Sequence, residues 1–390
     1  MKRLAVLLLL LAGCASQRSD LASSVDRILA AHPNQTIAVA YSDSRDGTTL
    51  LRNEHTVFHA ASTMKVPVML GIYEAVTRGE LRLDQPVRVR NDFVSIFDGS
   101  HYALDAKEDS DPELYRSIGQ DVPLEELVRR MIVRSSNLAT NLVIELIGAP
   151  RVMALMSQIG AQKIQVLRGV EDDKAYHAGM NNTTTAHDLM LIFRTLDESR
   201  AVSAEASKQM IDILLAQEHN DGIPAGLPND VRVAHKTGSI TAIAHDAGVV
   251  IAPDGSHYVL VVLTRGFAKT ADGEKVIADI SRAVWNAPPC KRTGWPIPPD
   301  SLQTKIDDLD AEWKILLASV QLETLPPDAQ ATVAKLFEPG FAKLRKEKAR
   351  GAEIWSFRYE KCPGCKWYRS GYVAVRDCRI VYEMETSDDM

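Results

Sequence analysis

The sequence predicts an α/β fold of the α+β type, in which helices flank an antiparallel sheet and an all-helical subdomain is inserted between the strands. Strand patterns occur near both ends of the first 286 residues, and the patterns between them are mostly helical. A proline-rich segment follows, and a shorter stretch beyond it mixes helix and strand patterns. We therefore expect a main domain at 21–286, a linker at 287–300 and a small C-terminal α+β domain at 301–390.

The main domain begins with a helical pattern and a predicted β-hairpin. Apolar residues from Leu21 to Leu29 have helical spacing, and β-rich stretches follow at Thr36 to Tyr41 and Thr48 to Phe58. Helical spacing returns from Ser62 to Arg78, and another long helical pattern begins at Leu124 and continues past Asn137. We interpret this middle part of the chain as mostly helix.

Strand patterns return at Val231 to Ile240, Ala247 to Ile251 and His257 to Leu263, before a last helix over Ala271 to Trp285. Because strands from both ends of this region must share a sheet, a cleft is expected between the sheet and the helices.

The C-terminal part has its own pattern. Residues from Leu302 to Val320 recur at steps of four and three, which predicts an amphipathic helix. A strand is expected at Ile354 to Tyr359, and the stretches Tyr372 to Arg376 and Arg379 to Met384 predict a hairpin. The basic run Lys343 to Arg350 indicates a solvated helix face. We find no catalytic group of residues here.

Composition and charge limit the function classes. The chain has 390 residues, of which 45% are apolar and 25% charged, and its formal net charge is −6. These proportions are typical of a globular protein. Binding to phosphate backbones requires clustered Lys and Arg, so we expect no nucleic-acid partner.

The first residues are typical of an export signal. Lys2 and Arg3 precede the apolar run Ala5 to Leu11, which is shorter than the roughly 18 residues that span a bilayer. The run ends in Leu11-Ala12-Gly13-Cys14, which resembles the lipobox of bacterial lipoproteins.

That resemblance implies a signal peptide at 1–13, a lipidated tether at 14–20 and membrane attachment through lipid on Cys14. The alternative is an ordinary signal cleaved near Ala15 or Ser16. Both predict an exported protein, and lipidation predicts anchoring on the periplasmic face of the envelope, with the outer membrane as one candidate. Four further cysteines, Cys290, Cys362, Cys365 and Cys378, are then expected to form structural disulfides, in one of three pairings that the sequence leaves open.

Three short motifs carry the chemistry. In Ser62-Thr63-Met64-Lys65, a helical turn places Ser and Lys on one face, where a neutral Lys can deprotonate the Ser for attack on a carbonyl. Ser135-Ser136-Asn137 lies in the long helical pattern, and Lys236-Thr237-Gly238-Ser239 lies on a predicted strand.

The order and spacing of these motifs resemble the penicillin-recognising serine hydrolases, and specifically class A β-lactamases, over roughly residues 20 to 286. The resemblance implies that Ser62 is the acylated nucleophile and Lys65 its proton partner. It assigns proton transfer to the lactam nitrogen to Ser135, and contact with the substrate's side-chain amide to Asn137. Carboxylate binding falls to Lys236 and Thr237, and the oxyanion hole to the N–H groups of Ser62 and Ser239, while Gly238 leaves room for substrate.

The same resemblance implies that Glu171 activates the water that hydrolyses the acyl-enzyme. The surrounding sequence departs from the family, because one extra residue separates Arg168 from Glu171, the following loop is short, and Ala175 stands where the family has Asn. Asn181 or Asn182 is a candidate substitute for positioning water. Glu171 could instead be a loop carboxylate that pairs with Arg168. Ser136 replaces the usual Asp, and His245 and Asp246 occupy a region where an Arg is expected.

No cofactor or metal is expected. His59, His235 and His245 flank the motifs, but their spacing lacks a metal-binding pattern, so we expect packing or hydrogen-bonding roles.

We therefore predict a monomeric, lipid-anchored serine hydrolase that opens β-lactams, a small-molecule substrate, and confers antibiotic resistance. The first alternative is a penicillin-binding, peptidase-like or esterase-like protein that deacylates slowly. The second is a non-catalytic envelope-binding lipoprotein.

Overall fold

The computed structural model describes residues 21–45, 47–287, 302–310, 327–360, 368–376 and 379–388. They fall into two units, one at Leu21–Ala287 and one beyond it. Cys14, the four other cysteines, the export signal, the tether and most of the proline-rich segment lie outside the described residues. The predictions made for them stay predictions.

The described helices are numbered along the chain. In chain order they are α1 (21–30), α2 (Lys65–Thr77), α3 (Leu124–Val133), α4 (Asn137–Ile147), α5 (Ala149–Ile159), α6 (Asp173–His177), α7 (Ala186–Asp197), α8 (Ala204–Leu215), α9 (Thr270–Trp285) and, in the second unit, α10 (Pro327–Ala349).

The strands are numbered separately. They are β1 (Thr36–Asp43), β2 (Thr49–Arg52), β3 (Phe58–His59), β4 (Pro86–Arg88), β5 (Phe93–Val94), β6 (His101–Tyr102), β7 (Asp121–Pro123), β8 (Thr183–Thr184), β9 (Arg232–Ile240), β10 (Ile243–Ile251), β11 (His257–Arg265), β12 (Leu302–Lys305), β13 (Glu353–Glu360), β14 (Tyr368–Arg376) and β15 (Arg379–Asp388).

The largest sheet has the strand order β2-β1-β11-β10-β9, and every neighbouring pair is antiparallel. Strands from both ends of the unit therefore share one sheet, as the sequence predicts. Helices α2 to α8 are inserted between β2 and β9. This confirms the predicted fold class of an antiparallel sheet flanked by helices with a helical insertion.

The two faces of this sheet are buried against different helices. Ala38 and Ala40 of β1 belong to a core with α2 to α5, α7 and α8, whereas Ile37 and Val39 belong to a core with α1 and α9. This division follows from the two-residue period of a strand, which sends alternate side chains to opposite faces. Both faces are covered, so the strands are almost continuously buried.

Two predicted elements of this unit are divided in the structure. The stretch Thr48 to Phe58 contains β2, which pairs with β1, and then β3, which pairs with β8 in a separate small sheet. The long helix predicted from Leu124 past Asn137 is two helices, α3 and α4. It breaks at Ser135, whose φ of 59° no α-helix accepts. The apolar spacing continues across the break, and this is why the sequence pattern missed it.

The second unit contains an antiparallel sheet with the order β12-β13-β14-β15, beside α10. The predicted strand near Ile354 and the predicted pair β14 and β15 are present. The helix predicted from Leu302 is wrong at its start, because Leu302–Lys305 forms an edge strand paired with β13. Most of that predicted helix lies outside the described residues.

Among the described residues no single helix is long and apolar enough to cross a membrane. Only α4 and α5 taken together, which meet at an angle of 83°, have sufficient length and apolar composition.

Candidate active site

The Ser62 motif lies where a 3-10 turn, Ala61–Met64, leads into α2. Within the turn the Lys65 backbone N–H donates to the Ser62 carbonyl oxygen, and no hydrogen bond joins the two side chains in the described part of the chain. The Lys65 side chain is fully buried. Among the described residues, the Ser62 hydroxyl has no hydrogen-bond partner, so it is open to the cavity that it lines.

Lys65 contacts the second motif. Its Nζ donates to the Ser135 carbonyl oxygen at 2.6 Å, to Asn137 Oδ1 at 2.9 Å and to Ser135 Oγ at 3.2 Å. Burial lowers the pKa of Lys65 to about 7, although the nearby carboxylates of Asp109 and Glu171 act in the opposite direction. Lys65 is therefore able to hold or release a proton near neutral pH.

Ser135 is placed between two lysines. Its Oγ accepts from Lys65 and, at 3.0 Å, from Lys236 Nζ. Both of its lone pairs are then used, so the hydroxyl hydrogen remains available to a substrate. The break between α3 and α4, with its left-handed backbone at Ser135, is what turns this side chain toward the lysines.

The third motif lies on β9, the edge strand of the main sheet. Lys236 is fully buried, and desolvation together with the charge of Lys65 lowers its pKa well below the ordinary value. Gly238 lies against the 3-10 turn, since a Cβ atom added to it would be 3.0 Å from Ser62 N. A glycine is needed for this close approach of two backbones.

Asn137 connects Lys65 to Glu171. Its Oδ1 accepts from Lys65, and its Nδ2 donates to Glu171 Oε1 at 2.7 Å. The half-buried Glu171 has a raised pKa, because burial and the neighbouring carboxylate of Asp109 outweigh the Asn137 hydrogen bond and the Lys65 charge. A carboxylate of this kind is a suitable proton acceptor.

Asn141, one turn after Asn137 on α4, fixes the backbone beside Glu171. Its amide donates to the Val170 carbonyl oxygen at 3.0 Å and accepts from Val170 N at 2.6 Å. Gly169 fits next to it, because an added Cβ atom would collide with Asn141 Oδ1 unless the Asn141 side chain moved. Two side chains four residues apart on one helix thus hold the loop and its carboxylate.

Arg168 does not pair with Glu171 in the structure. Its guanidinium donates to the carbonyl oxygens of Met180 and Gly169 and to Asn181 Oδ1. Asn182 hydrogen-bonds the backbone of Arg168 through both atoms of its amide. Arg168, Asn181 and Asn182 therefore brace the Glu171 loop, and neither Asn is directed to Glu171.

Ala175, at the position where an Asn was expected, is buried in α6. Its backbone N–H donates to the Asp172 carboxylate, which caps this short helix and also accepts from Ser95 Oγ at 2.7 Å. A methyl group offers a water molecule no hydrogen bond, so position 175 contributes only packing.

Asp109 was missed by sequence reasoning, because a single Asp in a polar loop carries no signal. Its buried carboxylate accepts from the backbone N–H groups of Asn137 and Leu138, at the N-terminus of α4. Ser110 in the same loop donates to the Ser135 carbonyl oxygen at 3.3 Å.

The three flanking histidines have hydrogen-bonding roles. His235 Nδ1 is 2.9 Å from the Asp246 carboxylate, and His245 Nε2 is 3.0 Å from the His59 carbonyl oxygen. Burial lowers the pKa of His245 to about 4, so this ring is neutral at pH 7. No cluster of metal-binding side chains occurs among the described residues.

The three motifs meet at one cavity of about 240 Å³. Its lining includes most of the residues that the sequence singled out, namely Ser62, Ser135, Asn137, Thr237, Gly238 and Ser239. The remaining lining is rich in acidic groups, with Glu108, Asp221 and Glu274, and no arginine lines the cavity in the part of the chain that is described.

Comparison with known proteins agrees with this layout. The sequence model of the beta-lactamase enzyme family matches residues 20–287, which is nearly the whole of the first unit. The chain belongs to the beta-lactamase enzyme family. The resemblance to class A β-lactamases inferred from the three motifs is thereby confirmed, and the first unit has the fold of the serine hydrolases of this family.

Individual relatives within the family are distant. The chain is 23% identical to beta-lactamase VEB-1 of Pseudomonas aeruginosa, over 70% of this chain and 91% of that protein. It is 29% identical to the solved beta-lactamase of Sphaerobacter thermophilus, with a TM-score of 0.58 over 70% of this chain and 99% of the other.

A penicillin-binding relative is also similar. A variant of PBP-A, solved as an acyl-enzyme complex with penicillin G, is 26% identical, with a TM-score of 0.59 over 69% of this chain and 96% of the other.

Proposed function

We propose that this protein hydrolyses the amide bond of β-lactams through an acyl-enzyme on Ser62, with deacylation by a water molecule that Glu171 activates. The observation that carries this proposal is the hydrogen-bonded chain Lys65–Asn137–Glu171, which joins the acylation motif to a desolvated carboxylate. A scaffold protein would gain nothing from burying these polar groups beside a free Ser hydroxyl.

In the proposed acylation, Lys65 in its neutral form takes the proton of the Ser62 hydroxyl, and Ser62 Oγ attacks the lactam carbonyl carbon. The backbone N–H groups of Ser62 and Ser239 stabilise the oxyanion. Ser135 then gives its hydrogen to the lactam nitrogen as the carbon–nitrogen bond breaks, and it is reprotonated from the lysine pair.

In the proposed deacylation, Glu171 removes a proton from water as the water oxygen attacks the ester carbonyl carbon. The ester bond breaks, Ser62 Oγ takes up the proton that Glu171 removed from the water, and the opened lactam leaves. Asn137 holds the Glu171 carboxylate in place. The second amide hydrogen on its Nδ2 and the second lone pair on its Oδ1 can bind the substrate's side-chain amide.

Slow deacylation is the second candidate. Ala175 gives water no hydrogen bond, and Asn181 and Asn182 are engaged with Arg168. Glu171 would then lack a second group to orient the water molecule, and the protein would behave as a penicillin-binding protein.

The test is a stopped-flow and mass-spectrometric assay of protein lacking residues 1–14, with a chromogenic cephalosporin. We expect Ser62→Ala to abolish acylation, and Glu171→Ala to accumulate acyl-enzyme with turnover reduced at least about 100-fold. The matched control is Glu205→Ala, an exposed carboxylate on α8.

A stoichiometric burst with a long-lived adduct on the unmodified protein would replace hydrolysis with the second candidate. No adduct on Ser62 with any β-lactam would contradict both, and would favour the non-catalytic reading.

A further inference from the structure

The segment between β6 and β7 contains a buried carboxylate that the proposed chemistry does not use. Asp109 is 5% exposed and accepts hydrogen bonds from four groups. These are Asn137 N at 3.0 Å, Leu138 N at 2.8 Å, Asp111 N at 2.9 Å and the Tyr115 hydroxyl at 3.0 Å.

The first two donors lie at the N-terminus of α4, where backbone N–H groups have no partner within the helix. Ser136, the N-cap residue, satisfies only Ala139 N through its Oγ. Asp109 therefore supplies from a separate loop the carboxylate that neutralises the positive end of this helix.

Asn137 is the first residue of α4, and its backbone N–H donates to the Asp109 carboxylate. This bond fixes the position of the Asn137 Cα atom, from which the side chain extends. That side chain has to reach Lys65 Nζ at 2.9 Å and Glu171 Oε1 at 2.7 Å at the same time. A displacement of the helix end by 1 Å would break one of the two contacts.

The same loop also supports the residues just before α4. Asp111 is 1% exposed and pairs with Arg130 at 2.9 Å and with Arg134 at 3.3 Å, on either side of the end of α3. Ser110 Oγ also donates to the Ser135 carbonyl oxygen. Residues 109–111 therefore hold both the end of α3 and the start of α4, on either side of the strained turn at Ser135.

We propose that Asp109 is a positioning residue of the active site: its carboxylate fixes the N-terminus of α4, and thereby the Asn137 amide that joins Lys65 to Glu171. This proposal rests on the proposed function only for its kinetic readout. Its structural content, the alignment of three side chains, does not depend on the substrate.

The carboxylate also contributes a charge to the site. Lys65 and Glu171 face each other, and the other charged groups that face them are Asp109, Asp173 and Lys236. Tyr115 and Tyr102 adjoin the same carboxylates. The negative charge of Asp109 raises the pKa of both Lys65 and Glu171. Removal of this charge should therefore move both titrations to lower pH.

Three variants, each made in the protein that lacks only residues 1–14, test the proposal. Asp109→Asn keeps an acceptor oxygen and removes the charge, and Asp109→Ala removes both. In Asp109→Ala/Ser136→Asp a carboxylate is returned at the N-cap of α4, where it can accept from the same helix end. Asp212→Asn, an exposed carboxylate paired with Lys208, is the matched control.

The titration of Lys65 is followed by NMR of ¹³C-labelled lysine, with Lys65→Arg for assignment, and melting temperatures are recorded in parallel. We expect the Lys65 midpoint to move to lower pH in Asp109→Asn and not in Asp212→Asn. We expect acylation of Ser62 to fall about 100-fold in Asp109→Ala and to recover at least about tenfold in the double variant.

An unchanged Lys65 midpoint in Asp109→Asn, measured on folded protein, would overturn the proposal. So would a loss of acylation in Asp109→Ala that the double variant leaves unrepaired while its melting temperature recovers, because Asp109 would then serve stability alone. If no β-lactam acylates the unmodified protein, the proposed function fails, while the NMR titration still decides the role of Asp109.

Discussion

Lys65 combines full burial with a titratable charge, and this has a cost in stability. Its pKa in the folded protein is about 7 against an ordinary value of 10.5. Below pH 7 both the folded and the unfolded chain carry the proton, so the penalty for burying the charge is fully present. As pH rises from 7 toward 10 the penalty disappears, because folding no longer requires a proton to be buried or released.

We therefore predict that Lys65→Met changes stability in a pH-dependent way. The free energy of unfolding of Lys65→Met should exceed that of the unmodified protein by the largest amount at pH 7 and below. The advantage should shrink toward pH 10, by about 1.4 kcal/mol for each unit of the pKa shift. Urea unfolding at pH 6, 7, 8, 9 and 10 measures this, with Lys208→Met as the exposed control. A difference that is flat over this range would contradict the prediction.

At the scale of residues, the sequence predicts the candidate catalytic and substrate-binding residues, and it misses the residue that positions them. Ser62, Lys65 and Lys236 are found from motifs, because catalysis requires those residue types at fixed spacing. Asp109 acts through backbone N–H groups of a helix that is distant in sequence, so no local pattern marks it. The interpretation of Glu171 as a partner of Arg168 fails because a guanidinium can be satisfied by carbonyl oxygens instead.

At the scale of elements, the break between α3 and α4 stores backbone strain. Ser135 has a φ of 59°, which costs a residue with a Cβ atom about 1 kcal/mol. We predict that Ser135→Gly is more stable than Ser135→Ala by about 1 kcal/mol, although both lack the hydroxyl and both lose acylation. At Lys208, which lies within α8, Lys208→Gly should instead be less stable than Lys208→Ala, because Gly is unfavourable in a helix. Equal thermal stability of the two Ser135 variants would show that the strain is relieved elsewhere.

The contact between β9 and the 3-10 turn gives a second prediction for an element pair. In Gly238→Ala the new methyl group meets Ser62 N at 3.0 Å, Thr63 N at 3.1 Å and the Ala60 carbonyl oxygen at 3.2 Å. Backbone atoms cannot rotate away, so we expect the strand to shift and acylation to fall about 100-fold. Gly255→Ala is the comparison, since its φ of 83° makes it strained but its added Cβ atom touches nothing. It should lose stability and keep the rate of acylation.

Elements with a continuous pattern were predicted best. The strands β9 and β11 and the helices α2 and α9 agree with the sequence because turns bound them clearly, whereas β10 begins at Ile243, four residues before the predicted Ala247. The division of α3 from α4 could not be predicted, because Leu127, Met131 and Leu138 keep facing one core across the break. Leu302–Lys305 was misread because a four-residue edge strand is too short to distinguish from one helical turn.

At the scale of the molecule, the two units have separate cores. The apolar clusters of the first unit contain only residues between 21 and 287, and the cluster of the second contains only residues from Ile306 to Ala374. We predict that the polypeptide 21–287 folds alone and acylates with a rate constant within about threefold of that of the longer protein, since its described apolar clusters contain only its own residues. Circular dichroism and the cephalosporin assay measure this. An unfolded or inactive 21–287 would show that the second unit is required.

The position of this molecule in the cell is a separate proposal. Lipidation of Cys14 would attach the chain to a membrane of the envelope, and this would hold the hydrolase where β-lactams enter. Metabolic labelling with a fatty-acid analogue, compared with Cys14→Ser, tests it.

The pairing of β1 with β11 sets the order in which the chain can fold. Thr36 is the partner of Arg265, and β11 lies between β1 and β10 in the sheet. A chain growing from its N-terminus therefore carries an unpaired β1 edge through the synthesis of the entire helical insertion. Such non-local pairing gives a high contact order and slow folding. The helical insertion has time to form first, and the active-site cleft closes only when β11, the last strand of this sheet to be made, enters the middle of the sheet.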